Sequence, residues 1–152
     1  MPDTPPTLAI SYSTDFSLTI RFSQVRRYDV ASPEHCFDFN CRVFHSKGEF
    51  NYSGRDICFD PRTFRDFVGQ LAAVQEGRAE SAEFFEVGEM IKFAIGVHGQ
   101  KTKASVTIRE YQPNGEQTVL SAGFQVDYDM FVNALHAKAT QFLRDLADVE
   151  SL

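Results

Sequence analysis

A local pattern that occurs twice constrains the fold of this chain more than any other feature. The stretch ICFDPRTF runs from Ile57 to Phe64, and its counterpart FQVDYDMF runs from Phe124 to Phe131. Each passes from alternating apolar residues into an aspartate and places a phenylalanine four residues later. An aspartate between a strand-like run and a helical run is typical of a helix N-cap, because its side chain can accept a backbone N–H of the first turn. The pattern therefore predicts two strand-to-helix junctions.

Helical periodicity follows both aspartates, Asp60 and Asp127. Pro61 takes the first helical position after Asp60, where the missing N–H of a proline costs nothing. The apolar residues that recur at helical spacing are Phe64, Phe67, Val68, Leu71 and Val74 after the first aspartate, and Phe131, Leu135, Ala139, Phe142, Leu143 and Leu146 after the second. Each set forms one apolar face, as expected for a helix packed on a core.

The alternative to two helix caps is a pair of catalytic carboxylates. A capping carboxylate accepts backbone N–H bonds and interacts favourably with the helix dipole, so its pKa tends to fall below the ordinary range. A lowered pKa suits neither a general acid nor a general base. We therefore interpret Asp60 and Asp127 as structural caps. Loss of either should lower the free energy of unfolding by about 1 kcal/mol.

Most of the remaining chain alternates between apolar and polar residues, as half-buried strands do. Asn114 and Gly115 form a strong hairpin-turn signal between two such runs. The order is strands, helix, strands, helix. It predicts an α+β fold in which one curved antiparallel sheet of roughly seven or eight strands holds two helices. The repeated strand-to-helix junction also hints at an internal duplication.

Length, charge and cysteine content restrict the class of protein. A chain of 152 residues has the size of one domain, and we expect residues 1–152 to form one, with residues 1–6 as a flexible leader. The net charge of −6 argues against a nucleic-acid partner. There is no signal-like segment and no apolar run of about 20 residues, so we expect a cytoplasmic protein with no membrane partner. Three cysteines without framework spacing are typical of free thiols in a reducing compartment.

Candidate catalytic and metal-binding residues are few. His35, Cys41 and His45 share one face of a predicted strand, but the two histidines would lie about 33 Å apart and cannot share an ion unless the chain doubles back. No nucleophile elbow and no phosphate-binding glycine loop occurs. His98 and His136 specify little by themselves, and a hydrolase or isomerase that uses one of them is our last hypothesis. We expect no metal, no cofactor and no enzymatic activity.

The chain has 15 phenylalanines and no tryptophan. These rings could fill the core tightly, or they could line a hollow between sheet and helices that holds an apolar ligand. The second possibility gives our alternative function, a small-molecule-binding module with a Phe-lined cavity.

The order of features also resembles a known family. A two-strand unit precedes GEFNYSGRDICFDPRTFRDFVGQLAAVQEG, then AEFFEVGEMIKFAIGVHG, and finally FQVDYDMFVNALHAKATQFL. This order is similar to that of the WapI-type family of bacterial immunity proteins over most of the chain, from Leu8 to Leu146. The resemblance implies a protein that binds and silences a cognate toxin domain without catalysis.

If the resemblance holds, an acidic stretch is the predicted toxin contact. It comprises Glu80, Glu83, Glu86 and Glu89, together with Asp129. Toxin domains that attack nucleic acid are commonly basic at their active surface, so an acidic partner would be steered towards them. The alternative is that these acids only form a solvated face. The sequence does not specify the oligomeric state.

Overall fold

A computed structural model gives the fold for residues 5–13, 17–27, 34–86, 88 and 90–150, without the side chains of residues 45, 149 and 150. Residues 1–4 of the predicted leader lie outside this description. In the described residues the elements are β1 (Leu8–Ser13), β2 (Ser17–Arg27), β3 (His35–His45), β4 (Gly48–Phe59), α1 (Pro61–Gln75), β5 (Ser81–Phe85), β6 (Ile91–His98), β7 (Lys101–Tyr111), β8 (Gln117–Val126) and α2 (Tyr128–Glu150).

The strands form two antiparallel sheets in which neighbours in sequence are neighbours in space. The N-terminal sheet has the order β1-β2-β3-β4 and is followed by α1, and the C-terminal sheet has the order β5-β6-β7-β8 and is followed by α2. The predicted α+β class and strand number are confirmed. The expectation of one curved sheet is wrong, because among the described strands none of β1–β4 pairs with any of β5–β8. The same order of elements thus occurs twice.

Each helix packs against the first strand of the opposite sheet. Helix α1 lies on β5, helix α2 lies on β1, and the two helices touch each other. At the start of α2, the Tyr12 hydroxyl accepts the Asp127 N–H at 3.0 Å, and the Tyr12 ring meets Phe131 edge-on at 5.9 Å. Further along, the Lys138 ammonium donates to the Ala9 carbonyl at 2.9 Å. This exchange of helices joins the two repeats into one core.

The ring of Phe84 on β5 lies at the centre of that core. It is 1% exposed, and its ring centroid lies between 5.4 and 6.4 Å from those of its aromatic neighbours. These neighbours are Phe22, Phe37 and Phe59 of the N-terminal sheet, and Phe64 and Phe67 of α1. Most of the pairs are edge-to-face, a geometry that the quadrupoles of aromatic rings favour. The Phe84 side chain of the C-terminal sheet therefore packs against both the N-terminal sheet and α1.

The phenylalanine rings contact one another, and these contacts argue against a Phe-lined ligand cavity. Phe64 also meets Phe142 of α2 at 4.9 Å, and Phe67 meets Phe93 of β6 at 6.1 Å. Rings that pack on one another in this way are typical of a filled core rather than of a pocket lining. This packing favours the structural explanation of the high phenylalanine content.

Replacement of Phe84 by alanine should destabilise the protein more than a surface change. We expect Phe84→Ala to lower the free energy of unfolding by about 3–5 kcal/mol, because the deleted ring leaves a cavity that the surrounding rings cannot close. The neighbouring Phe85 is 38% exposed, so Phe85→Ala is the matched control and should cost about 1 kcal/mol or less. Urea unfolding followed by circular dichroism measures both, and equal losses would contradict the central position of Phe84.

Candidate functional site

The aspartates at the two junctions are bound to their own helices. The Asp60 Oδ1 accepts the Arg62 N–H at 2.9 Å, and the Asp127 Oδ1 accepts the Met130 N–H at 2.9 Å. The Arg62 guanidinium also pairs with Asp60 at 2.8 Å, and this hydrogen bonding lowers the pKa of the Asp60 carboxyl. Both carboxylates therefore satisfy N–H groups that a helix start leaves without intrahelical partners.

The structure separates the members of the acidic stretch. Glu80 is exposed, and Glu83 pairs with the Lys92 ammonium at 3.2 Å on the outer face of the C-terminal sheet. Asp129 is exposed in the first turn of α2, whereas Glu89 lies outside the described residues. The stretch is therefore not one continuous acidic surface.

Glu86 corrects the sequence analysis, because its carboxylate points into the protein. The residue is 5% exposed, and its side chain accepts the backbone N–H groups of Gly88, Met90 and Ile91. It thus closes the connection between β5 and β6 by accepting three backbone N–H groups, of which that of Ile91 is buried. A carboxylate held in this way is unavailable to a partner protein, so we withdraw Glu86 from the predicted contact region.

Glu80 precedes β5 and Asp129 follows β8, so the two lie at the same end of the C-terminal sheet but at opposite edges, with the exposed Lys101 and Lys103 of β7 between them. The Glu80 carbonyl accepts the Val97 N–H at 2.7 Å, and Val97 pairs through Thr102 with Val126, directly before the start of α2. We call this region, with Glu80 and Asp129, the acidic end.

The outer face of the C-terminal sheet carries a cluster that the sequence analysis missed. Phe85 on β5 is the register partner of Lys92 on β6, and Lys92 is the partner of Thr107 on β7. Arg109 and Tyr111 follow Thr107 on the same face of β7, because side chains alternate along a strand. We call these five residues the aromatic-basic patch.

The patch combines exposed rings with positive charge. Tyr111 is 63% exposed and Phe85 is 38% exposed, and the Arg109 side chain is also exposed. Phe85, Lys92, Thr107 and Arg109 line a shallow hollow of about 240 Å³. Aromatic residues and arginine are enriched at the centres of protein interfaces, where they contribute most of the binding energy. The composition of the patch is therefore that of a protein contact surface.

A larger cleft of about 640 Å³ lies between β4 and the loop that contains Glu86. Several of its polar groups already have partners within the chain. The Tyr52 hydroxyl donates to the Glu110 carboxylate at 3.4 Å, and burial together with the charge of Glu110 raises the pKa of Tyr52. Asp56 pairs with Arg26, and Glu86 is held by backbone N–H groups. The bond between Tyr52 and Glu110 joins the two sheets, and the other contacts lie within one sheet or one loop. Because these groups already have partners, the patch is the better candidate for a binding site.

The cysteines and histidines occupy separate positions. All three cysteines are free, the Sγ atoms of Cys36 and Cys58 lie 3.4 Å apart across β3 and β4, and burial raises the pKa of Cys41 to about 11. His98 is exposed at the end of β6, and His136 is half-buried on α2. In the part of the chain that the structure describes, no group of three or more His, Cys, Asp or Glu residues is placed to hold a metal ion. No helix there is both long and apolar enough to cross a membrane.

Comparisons with known proteins give one distant likeness. No family model matches the chain, and no curated protein matches its sequence. The solved structure of trypanosome MRP1/MRP2 has a TM-score of 0.46 and 16% sequence identity, over 93% of this chain and 86% of that chain. A likeness at this level carries no argument about function. Membership of the WapI-type family therefore stays a prediction.

The cap assignment predicts a small and specific loss of stability. We expect Asp60→Ala or Asp127→Ala to lower the free energy of unfolding by about 1 kcal/mol, because each leaves a helix N–H without its acceptor. Asparagine caps a helix as well as aspartate does, so Asp60→Asn is the matched control and should retain most of the stability. Chemical denaturation at neutral pH compares these variants.

The charge of Asp60 gives a pH dependence with a defined sign. Its pKa is lowered in the folded chain, so its contribution is fully present above the ordinary aspartate pKa of about 3.9 and is lost as the pH falls through the folded-state value. Denaturation curves recorded from neutral to acid pH should therefore converge for the wild-type chain and Asp60→Asn. A gap that widens towards acid pH would contradict the assignment.

Loss of the buried Glu86 carboxylate should lower the free energy of unfolding more than loss of the exposed Glu80 carboxylate. Glu86→Ala removes the acceptor of three backbone N–H groups and should cost about 3 kcal/mol. Glu80→Ala, at an exposed site, should change the free energy of unfolding by about 0.5 kcal/mol or less. Thermal and urea unfolding measure both changes. If Glu86→Ala does not lower the free energy of unfolding, the structural role of the Glu86 carboxylate is wrong.

Proposed function

We propose that this protein is a non-catalytic, stoichiometric inhibitor that binds a bacterial toxin domain through the aromatic-basic patch. The proposal has two supports, the resemblance to WapI-type immunity proteins and the composition of the patch. The observation that carries it is the register of β5, β6 and β7, which aligns Phe85, Lys92 and Thr107 in one row. Arg109 and the exposed ring of Tyr111 lie further along β7 on the same solvent-facing surface.

The physical chemistry of the patch suits a protein partner. Tyr111 and Phe85 offer large, rigid surfaces that lose little side-chain entropy when a partner covers them. The Arg109 guanidinium can form paired hydrogen bonds with a carboxylate. Lys92 lies beside Phe85 and already pairs with the Glu83 carboxylate at 3.2 Å, so Arg109 is the main cation of the patch. A partner surface with an apolar centre and acidic residues around it would complement the patch. Such a surface differs from the basic one that the acidic stretch led us to expect.

The acidic end offers the competing contact surface. Glu80 and Asp129 are exposed there, and they would steer a basic partner by long-range attraction. Surface charges of this kind change the association rate more than the final affinity, whereas buried aromatic and arginine anchors dominate the affinity. We therefore place the main contact on the patch. The acidic end serves as the alternative in the test.

The test is growth protection in bacteria. The candidate toxin is the C-terminal domain encoded by the reading frame immediately upstream of this gene, expressed from an inducible promoter with and without this protein. We expect the wild-type chain to restore growth and to form a one-to-one complex. Arg109→Ala and Tyr111→Ala should each weaken binding about tenfold or more in titration calorimetry. Both side chains are exposed, so the fold should be unaffected.

Two control variants locate the contact. Phe44→Ala removes a ring that is 54% exposed on β3, outside the patch, and should leave binding unchanged. Glu80→Lys combined with Asp129→Lys reverses the charge of the acidic end and should change affinity little. If only the charge reversal abolishes protection, the patch is not the contact surface. If the wild-type chain neither binds nor protects, toxin inhibition is wrong.

A further inference from the structure

The outer edge of β8 differs from every other sheet edge in this protein. Its sequence QTVLSAGFQV contains no charged residue and no proline over ten positions. Residues 117–121 are all exposed, including Val119 at 51% and Leu120 at 44%. Val119 lies on the outer face of the sheet and Leu120 on the inner face, so both faces of this edge present apolar side chains. A long, uncharged, exposed edge strand is a template for pairing with another strand.

The other three edges are protected. At β5 the side chain of Gln70 on α1 accepts the Glu83 N–H at 2.8 Å. At β1 the Lys138 ammonium of α2 donates to the Ala9 carbonyl at 2.9 Å. These contacts occupy backbone groups that an incoming strand would need.

Edge β4 is protected in a different way. It carries charged residues, among them Glu49 and Arg55, and an irregularity at Asp56, where φ is 54°. Charges and bulges on an edge strand oppose the addition of a further strand. Among the four edges of the described sheets, β8 alone combines length, exposure and neutrality.

We propose that β8 is a dimerisation edge, at which two copies of this chain pair antiparallel about a two-fold axis. The C-terminal sheets of the two copies would then form one continuous sheet. A second copy fits this edge because β8 itself contains no charged residue, so no like charges within the two strands repel each other. Pairing would supply the missing backbone hydrogen bonds and cover Val119 and Leu120.

When the two-fold axis passes through Ser121, large side chains of one β8 strand lie opposite small residues of the other. In that register Leu120 lies opposite Ala122 of the other copy, and Val119 lies opposite Gly123. Gln117 lies opposite Gln125, where two amides can hydrogen-bond to each other. Leu120 and Val119 thus each face a smaller residue. On the outer face the flexible side chain of Lys103 lies over Gly123 and has to move aside for Val119 of the other copy. This inference stands apart from toxin binding and does not require it.

The first test is the molar mass in solution. Sedimentation equilibrium should give twice the chain mass of 17.2 kDa at high concentration, with reversible dissociation on dilution. Leu120→Lys would place one charge from each copy at the covered surface of the dimer, so this variant should be a folded monomer. Phe44→Lys is the matched control, because it adds the same charge at an exposed site that is distant from β8 in the strand order, and it should remain dimeric.

The second test fixes the register and does not depend on stability. A Ser121→Cys variant places two thiols opposite each other across the axis, so mild oxidation with oxidised glutathione should give a disulfide-linked dimer in high yield. Gln125→Cys is the control, because the two introduced thiols would lie about 27 Å apart along the paired strands. The wild-type chain controls for its own three cysteines.

The outcomes separate clearly. A dimer that Leu120→Lys dissociates and Ser121→Cys cross-links supports the proposal. A wild-type chain that remains monomeric over the whole concentration range overturns it. So does a dimer that tolerates Leu120→Lys, or one that cross-links at residue 125 but not at residue 121. Circular dichroism of each variant confirms that the loss of dimer is not a loss of fold.

Discussion

The contact between Phe84 and the rings of the opposite sheet is the interaction on which the rest of the structure depends. Among the described strands, none of the N-terminal sheet pairs through its backbone with one of the C-terminal sheet, so side chains must hold the two sheets together. Phe84 meets Phe22 and Phe37 of the N-terminal sheet and Phe64 of α1. The exchange of helices surrounds this cluster. The outer faces of both sheets are thereby left to solvent.

Much of this fold could be predicted from the sequence, and the reasons are local. Asp60 and Asp127 stand where alternating periodicity changes to helical periodicity, so both helix starts follow from the pattern. The division into two sheets and the packing of each helix on the other repeat depend on contacts between distant segments, which periodicity does not encode. Glu86 lies in an acidic run, and only the closure of its loop shows that its carboxylate is buried. The aromatic-basic patch needed the strand register, because Phe85, Lys92 and Arg109 are far apart in sequence.

The protein presents surfaces of different composition in different places, and this arrangement suits the proposed role. The net charge of −6 describes the whole chain, yet the patch presents Lys92 and Arg109 beside two exposed rings, and the acidic end lies at the other end of the same sheet. The third distinct surface is the uncharged edge of β8. A protein that inhibits by binding needs such specialised surfaces on a rigid scaffold and needs no reactive group. The cap geometry of Asp60 and Asp127 is consistent with that role.

We infer that the outer face of the C-terminal sheet binds the proposed partner. Hydrogen–deuterium exchange of this protein with and without the toxin domain encoded upstream tests it most directly, because backbone amides report the covered surface. Our account predicts slower exchange in peptides that contain Phe85, Lys92 and residues 107–111, with no change at the start of α2. Protection confined to Glu80 and to the first turn of α2 would contradict it.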